Sequence, residues 1–242
     1  MTVRSDVRDD DAGLVVTLTG RLGLADIVQL RDRLLKCLAE QPDALLVDLR
    51  DLHVDQPLAL SVFTAVLRQA ARWPGTPVLL CGPPPQTRAL LLSGAYRRLP
   101  LFAGLDAARH HLADERRSVP SVREELLPVS GSPRHARDVA TDACLRWDLP
   151  DLVAPASLIV TELVANVVDH AHTMMTLRLS LRTRYLNIAV RDGSPQHPPE
   201  PRPADPENPG GHGLLLVSSL ADAWGCLPSD DGKVVWAALR RR

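Results

Sequence analysis

Net charge is the property this chain most lacks: 28 Lys and Arg against 29 Asp and Glu leave a formal charge of -1. A chain this neutral has no general field with which to hold a nucleic-acid backbone. No apolar run reaches the ~18–20 residues that crossing a bilayer takes. The start, MTVRSDVRDDDAG, is charged where a signal peptide is apolar. The four cysteines (Cys37, Cys81, Cys144 and Cys226) are far apart, with no CxxC pair and no histidine at metal-ligand spacing. They read as buried thiols in a reducing cytosol. These absences argue against secretion, membrane insertion, direct nucleic-acid binding and a structural metal, and they predict a cytoplasmic protein.

What remains is ordinary for a globular chain: 242 residues, 45% hydrophobic and 24% charged, enough for one large domain or two small ones. Proline is the excess. There are 21, seven of them between Pro195 and Pro209 and three consecutive at Pro83, Pro84 and Pro85. The larger cluster cannot be helix or central strand, because each proline removes an N–H and fixes φ. A loop of that length inside a compact domain is a lid or a connector.

In the first half, Leu14 to Leu18 reads as a strand closed by Gly20. Ile27, Leu30, Leu34, Leu35 and Leu38 make one face of a helix over 24–38. Ala44 to Leu49 (ALLVDL) reads as a strand buried on both faces. A helix opens near Pro57 and runs to Trp73, followed by a strand over Pro77 to Cys81 and helices over 86–92 and 105–111. Alternating strands and helices predict an α/β domain with parallel pairs. Residues 113–121 (ADERRSVPS) lack periodicity, and the expected division is 1–113, a linker over 114–121, and 122–242.

The second half predicts a strand over 122–129 and a helix with Ser132 as N-cap and Pro133 at its first position. A long apolar helix over 152–171 comes next, then strands marked by Leu177, Leu179 and Leu181 and by Leu186, Ile188 and Val190. Glycines then open a helix in GGHGLLLVSSLADAWG, and Asp231-Gly232 turns into a closing strand, KVVWAAL. This half is expected to be a two-layer α+β sandwich with helices on one face.

Three segments carry candidate chemistry. In TELVANVVDHAHT, Glu162, Asn166 and His170 are spaced by four and share a helix face, with Thr161, Asp169 and Thr173 on the flanks. A carboxylate accepts a proton, and an amide oxygen is a hard ligand suited to Mg²⁺. Asp192-Gly193 ends a strand, where a carboxylate is placed to accept a hydrogen bond from a ligand amine. Gly210, Gly211 and Gly213 open a helix, whose free N–H groups attract phosphate. Taken singly, each is as well read as a wet helix face, a turn and a loop end.

In this order, the segments resemble the nucleotide-binding elements of the GHKL ATPase superfamily, in particular the branch of anti-sigma-factor serine kinases. ELVANVVDHA resembles the N-box, VRDGSP the first glycine box, GGHGLLLVSSLADAWG the second, and GKVVWAALR the last strand. The resemblance implies ATP and Mg²⁺ as cofactors. Glu162 is then the general base and Asn166 the Mg²⁺ ligand, with His170 in support. Asp192 and Gly193 lie at the adenine, Gly211 and Gly213 face the phosphates, and residues 195–209 form the ATP lid. The superfamily commonly has Asp-x-Gly-x-Gly at the first box, whereas here Gly193 directly follows Asp192.

The first half, LVVTLTGRLGLADIVQLRDRLLKCL followed by ALLVDLRDLHVDQPLALSVFTAVLRQA, resembles a STAS domain. Relatives of that kind include the antagonists phosphorylated by the kinases just named. Their acceptor serine sits in an Asp-Ser-Ser-Gly context at a helix start, and the matching stretch here is Asp55-Gln56-Pro57-Leu58. Neither Gln56 nor Pro57 has a hydroxyl. The resemblances imply a sigma-factor regulator whose partners are a STAS antagonist, a sigma factor or both, with pairing of two copies as in many kinases of the branch. Two activities fit this reading: a serine kinase acting on a separate STAS protein, or a binding protein that uses ATP only to set its conformation. A sensor histidine kinase fits less well, because no helical phosphoacceptor segment precedes the ATP-binding half.

Overall fold

The computed structural model describes residues 3–115, 119–196 and 212–241. The chain divides into two compact units, Met1–Arg117 and Ser118–Arg242, each described here by itself.

The first unit is a five-stranded sheet ordered as in the chain: β1 (Arg4–Asp10), β2 (Gly13–Leu22), β3 (Leu45–Val54), β4 (Val78–Cys81) and β5 (Leu101–Phe102). β1 is antiparallel to β2, and all later pairings are parallel. The connecting helices are α1 (Ile27–Ala39), α2 (Ser61–Arg72), α3 (Pro85–Leu91) and α4 (Leu105–Glu115). Side chains alternate across a strand, so the apolar runs feed two cores. Val16, Val47 and Leu80 join Leu34 of α1 and Phe63 of α2. Their neighbours Val15, Leu46 and Leu79 join Ala108 and Leu112 of α4. This is why ALLVDL is apolar almost throughout. Its one charge, Asp48, is 1% exposed and is gripped from two residues on by the Arg50 guanidinium, with Nη2 at 2.8 Å from Oδ2.

The helix expected from Pro57 begins as a 3₁₀ turn, Pro57–Leu60, and becomes α-helical only at Ser61. Gln56 is committed to structure there: its Oε1 accepts the Leu24 N–H at 2.7 Å. The strand expected to stop at Gly20 continues to Leu22, and β1 adds an edge that the charged N-terminal reading did not foresee.

The second unit is an antiparallel sheet ordered β6 (Ser121–Leu126), β7 (Met175–Leu181), β8 (Tyr185–Asp192), β10 (Lys233–Arg240), β9 (Ala223–Pro228). Three helices, α5 (Ser132–Arg146), α6 (Pro150–Asn166) and α7 (His212–Leu220), share one core with it. Ala140, Ile159, Leu163 and Val217 meet Leu177, Leu179, Ile188, Val190, Val235 and Ala237 there. Each large buried side chain contributes about 1.5–3 kcal/mol of transfer free energy. The α+β two-layer sandwich and the α/β first unit are the architectures the sequence predicts.

Several local expectations are corrected. Gly131, not Ser132, is the N-cap of α5; the Ser132 hydroxyl donates back to the Leu127 carbonyl at 2.6 Å instead. The α-helix expected to reach Ala171 ends at Asn166, and Val167–Ala171 form a single π-helical turn. His172 closes it in the left-handed region (φ 53°), its N–H donating to Val167 O at 2.8 Å. Thr173 therefore lies beyond the helix. Residues 223–225, the end of the segment read as opening a helix, belong instead to strand β9. Counted through the π turn, Pro150–Ala171 is a 22-residue helix with a mean hydropathy of 1.6 over its best window, long and apolar enough to cross a membrane. No run of that kind was expected from the sequence. Its apolarity has a local use, because Ala156, Ile159, Val160, Leu163 and Val164 fill the core of this unit.

Cys37, Cys81 and Cys144 are buried and Cys226 is half-buried; none forms a disulfide. Burial pushes the Cys81 thiol up to about 12 and those of Cys144 and Cys226 to about 11, so these three are neutral, unreactive thiols near pH 7.

Candidate functional site

The site is built where the C-terminal end of α6 meets the C-terminal end of β8. A cavity of about 320 Å³ opens there, at the lower end of the size range usual for small-molecule sites. Asn166 at the end of α6, His170 in the π turn and Asp192 at the end of β8 all line it. Leu163, Val190, Leu214 and Val235 supply apolar wall. An apolar slot with a few convergent polar groups suits a flat, partly polar ring better than an ion alone.

Asp192 is the most constrained of these groups. It is 3% exposed, and its neighbours in register are Met175 on β7 and Lys233 on β10. Its Oδ1 accepts the Ser194 N–H at 2.8 Å and the Lys233 ammonium at 2.9 Å. Lys233, itself 7% exposed, also donates to the Ser194 carbonyl at 3.2 Å. Sequence reading missed Lys233, since a lysine opening a strand is normally a solvated surface residue. The signal was the spacing of Asp-Gly-Lys at a hairpin opposite a strand-end Asp, which is legible only once the register is known.

Not every predicted residue faces this cavity. Gly193 lies in a neighbouring shallow cleft with Thr173, Arg191 and Asp231, and its N–H donates to Thr173 Oγ1 at 3.0 Å. The Arg191 guanidinium, hydrogen-bonded to Asp231, holds that carboxyl below its ordinary range. Glu162 is half-buried one turn before Asn166 and is absent from the cavity lining. It stands against the start of α7: a Cβ placed on Gly213 would come within 2.5 Å of Glu162 Oε2 and 3.5 Å of its Cβ. Gly213 is thus the close-approach glycine that lets α7 pass over the carboxylate. Gly210, Gly211 and residues 197–209 of the expected lid lie outside the described residues. Asn166, with its amide oxygen, is the group here suited to a hard cation that also carries phosphate oxygens, and the mixed wall of the cavity suits a nucleobase.

The second unit is thus a two-layer α+β sandwich with a buried strand-end carboxylate, and the first an α/β sheet that is parallel except for β1. Residues 131–239 match the family model described as "Histidine kinase-like ATPase domain" and residues 5–99 the one described as "Mlab, STAS domain". The chain carries a STAS domain followed by a histidine kinase-like ATPase domain. Among solved structures, it is similar to an anti-sigma factor antagonist from Mycobacterium paratuberculosis, with 24% identity over 47% of this chain and 96% of that one, at a TM-score of 0.39. It is also similar to the anti-sigma factor antagonist SpoIIAA in its unphosphorylated form, with 13% identity over 47% of this chain and all (100%) of that one, at a TM-score of 0.39. A third is the pair of RsbU and RsbW domains of a Mycobacterium tuberculosis protein, with 13% identity over 51% of this chain and 33% of that one, at a TM-score of 0.38. No curated protein matches the chain.

Proposed function

We propose that the second domain binds Mg-ATP and transfers its γ-phosphoryl group to a serine of a separate STAS protein, within a cytoplasmic partner-switching circuit that governs a sigma factor. The observation that carries this reading is the convergence of Asn166, His170 and Asp192 on one amphipathic cavity. In it, Asp192 accepts a hydrogen bond from the adenine amine, while Leu163, Val190, Leu214 and Val235 flank the ring. Asn166 ligates Mg²⁺ beside the phosphates, and the free N–H groups at the start of α7 attract the phosphates. Mg²⁺ supplies charge neutralisation on the β- and γ-phosphates when bound. Glu162 takes the proton from the attacking serine hydroxyl. The chain's own STAS domain is not the substrate: Gln56 stands where an acceptor serine is expected, with its side-chain oxygen already held by the Leu24 N–H. That domain acts as a docking surface or decoy.

A second reading, ATP-dependent capture of a sigma factor or antagonist without chemistry, draws on the same Gln56, since it leaves no phosphoswitch in cis. The test is incubation with γ-labelled ATP and a panel of serine-bearing STAS proteins. Label on at least one of them supports the kinase, and bound ATP with label on none supports the capture reading. For the metal, Asn166→Ala weakens Mg-ATP about a hundredfold in calorimetry and leaves Mg-free ATP binding within about threefold, the loss of one hard ligand oxygen. Equal Mg-ATP affinity in both proteins removes Asn166 from that role.

A further inference from the structure

Lys233 has no role in the reading above, yet it is one of the few charged side chains buried in the second domain. Its ammonium bridges the Asp192 carboxylate and the Ser194 carbonyl, and it lines the same cavity. Removing a lysine and a carboxylate from water is expensive, and pairing them repays that cost only with good geometry and further hydrogen bonds. The pair has both: Oδ1 is met from two sides by Lys233 and the Ser194 N–H. Among the described residues, Ser194 N–H and the Lys233 ammonium both meet Oδ1 of Asp192, which leaves Oδ2 to accept from a ligand.

We infer that Lys233 is a positioning residue that holds Asp192 turned so that Oδ2 meets the ligand amine in the cavity. The role of the ligand rests on the nucleotide reading; the role of the pair does not. Other titratable groups around the pair are His170 in the π turn, Cys226 on β9, Glu125 on β6, and Arg191, which is bound to Asp231. Burial keeps the Cys226 thiol neutral, and Arg191 is engaged by Asp231 at the sheet's end. Lys233 is therefore the cation in hydrogen-bond contact with Asp192. Without it, a carboxyl buried in this position favours its protonated form, because desolvation penalises the charge.

The experiment compares the full chain with Lys233→Met in two measurements between about pH 6 and about pH 8, the range over which an unpaired buried carboxyl is driven to titrate. In calorimetry with Mg-ATP, the variant binds about tenfold more weakly at the upper end and about a hundredfold more weakly at the lower end, as Asp192 takes up a proton. Only the ratio of the two affinities is read, so that pH effects common to both proteins cancel. In thermal unfolding without nucleotide, the variant's deficit in Tm grows as pH rises. A carboxyl whose folded-state pKa is raised holds more protons folded than unfolded, so stability falls with increasing pH.

A ratio and a deficit that stay constant across the range overturn the role of Lys233. If even the unaltered chain binds no ATP, the nucleotide reading fails, and the unfolding measurement still decides the pair. If Lys233→Met does not fold, the double variant Lys233→Met/Asp192→Asn is expected to regain a folded second domain, because the uncompensated charge is gone. A double variant no more stable than the single one overturns the inference.

Discussion

Glu162→Ala leaves ATP bound and nearly abolishes phosphoryl transfer. The two effects separate because Glu162 lies outside the lining of the cavity that holds Asn166 and Asp192, so its removal takes no contact from the nucleobase. What is lost is a proton acceptor, and removing a positioned general base costs about 10²–10⁴ in rate. Single-turnover transfer of γ-label to a STAS antagonist, beside calorimetry with Mg-ATP, reads the two separately. Glu162→Gln, which keeps the shape and loses the basicity, falls with the alanine variant. Gly213→Ala is a subtler probe of the same carboxylate. The added methyl lands 2.5 Å from Oε2, the end of a flexible side chain, so the domain tolerates it but the base is turned aside. Transfer then falls by about tenfold, between the native chain and Glu162→Ala. Transfer rates equal to those of the unaltered chain in the Glu162 variants refute its assignment as base.

Much of this site was legible because its parts sit on strongly patterned elements. The 3.6-residue recurrence through α6 places Glu162 and Asn166 one turn apart, and the alternating run into Asp192 marks a strand end. Where reading failed, tertiary context decided. β1 (RSDVRDD) is an edge strand that carries charge on most positions, so its pairing with β2 leaves no apolar stripe to detect. β9 (AWGCLP) includes Gly225 and Pro228, residues that read as punctuation; as an edge strand it tolerates both. The π turn over VVDHA differs from α-helix by one residue per hydrogen-bonded ring, a choice that side-chain periodicity over five residues does not encode. Lys233 and Asp192 are 41 positions apart, and only the β8–β10 register brings them together. Gln56 is the converse case. The sequence shows that a hydroxyl is missing, and the structure shows what the side chain does instead.

Gly232→Ala destabilises the second domain, lowering its Tm by about 10 °C. Gly232 forms the turn between β9 and β10, and a Cβ there would lie 1.9 Å from the Asp192 carbonyl oxygen and 2.8 Å from Gly193 Cα. Both obstacles are backbone, so no rotamer relieves them and the hairpin must lift away from the end of β8. Forced overpacking of this kind costs about 1–3 kcal/mol, and each kcal/mol moves the Tm of a domain of this size, Ser118–Arg242, by roughly 3–6 °C. Gly131→Ala is the matched control in the same domain, because nothing lies within 4 Å of the position its Cβ would occupy. It melts within a few degrees of the parent. The lifted hairpin also displaces Lys233, the next residue along, so ATP affinity drops together with Tm in Gly232→Ala and not in Gly131→Ala. Were the two variants to melt alike, the turn would not be seated on the end of β8. The registry that sets Lys233 opposite Asp192 would then be wrong, and the acceptor geometry on which the nucleotide site rests would go with it.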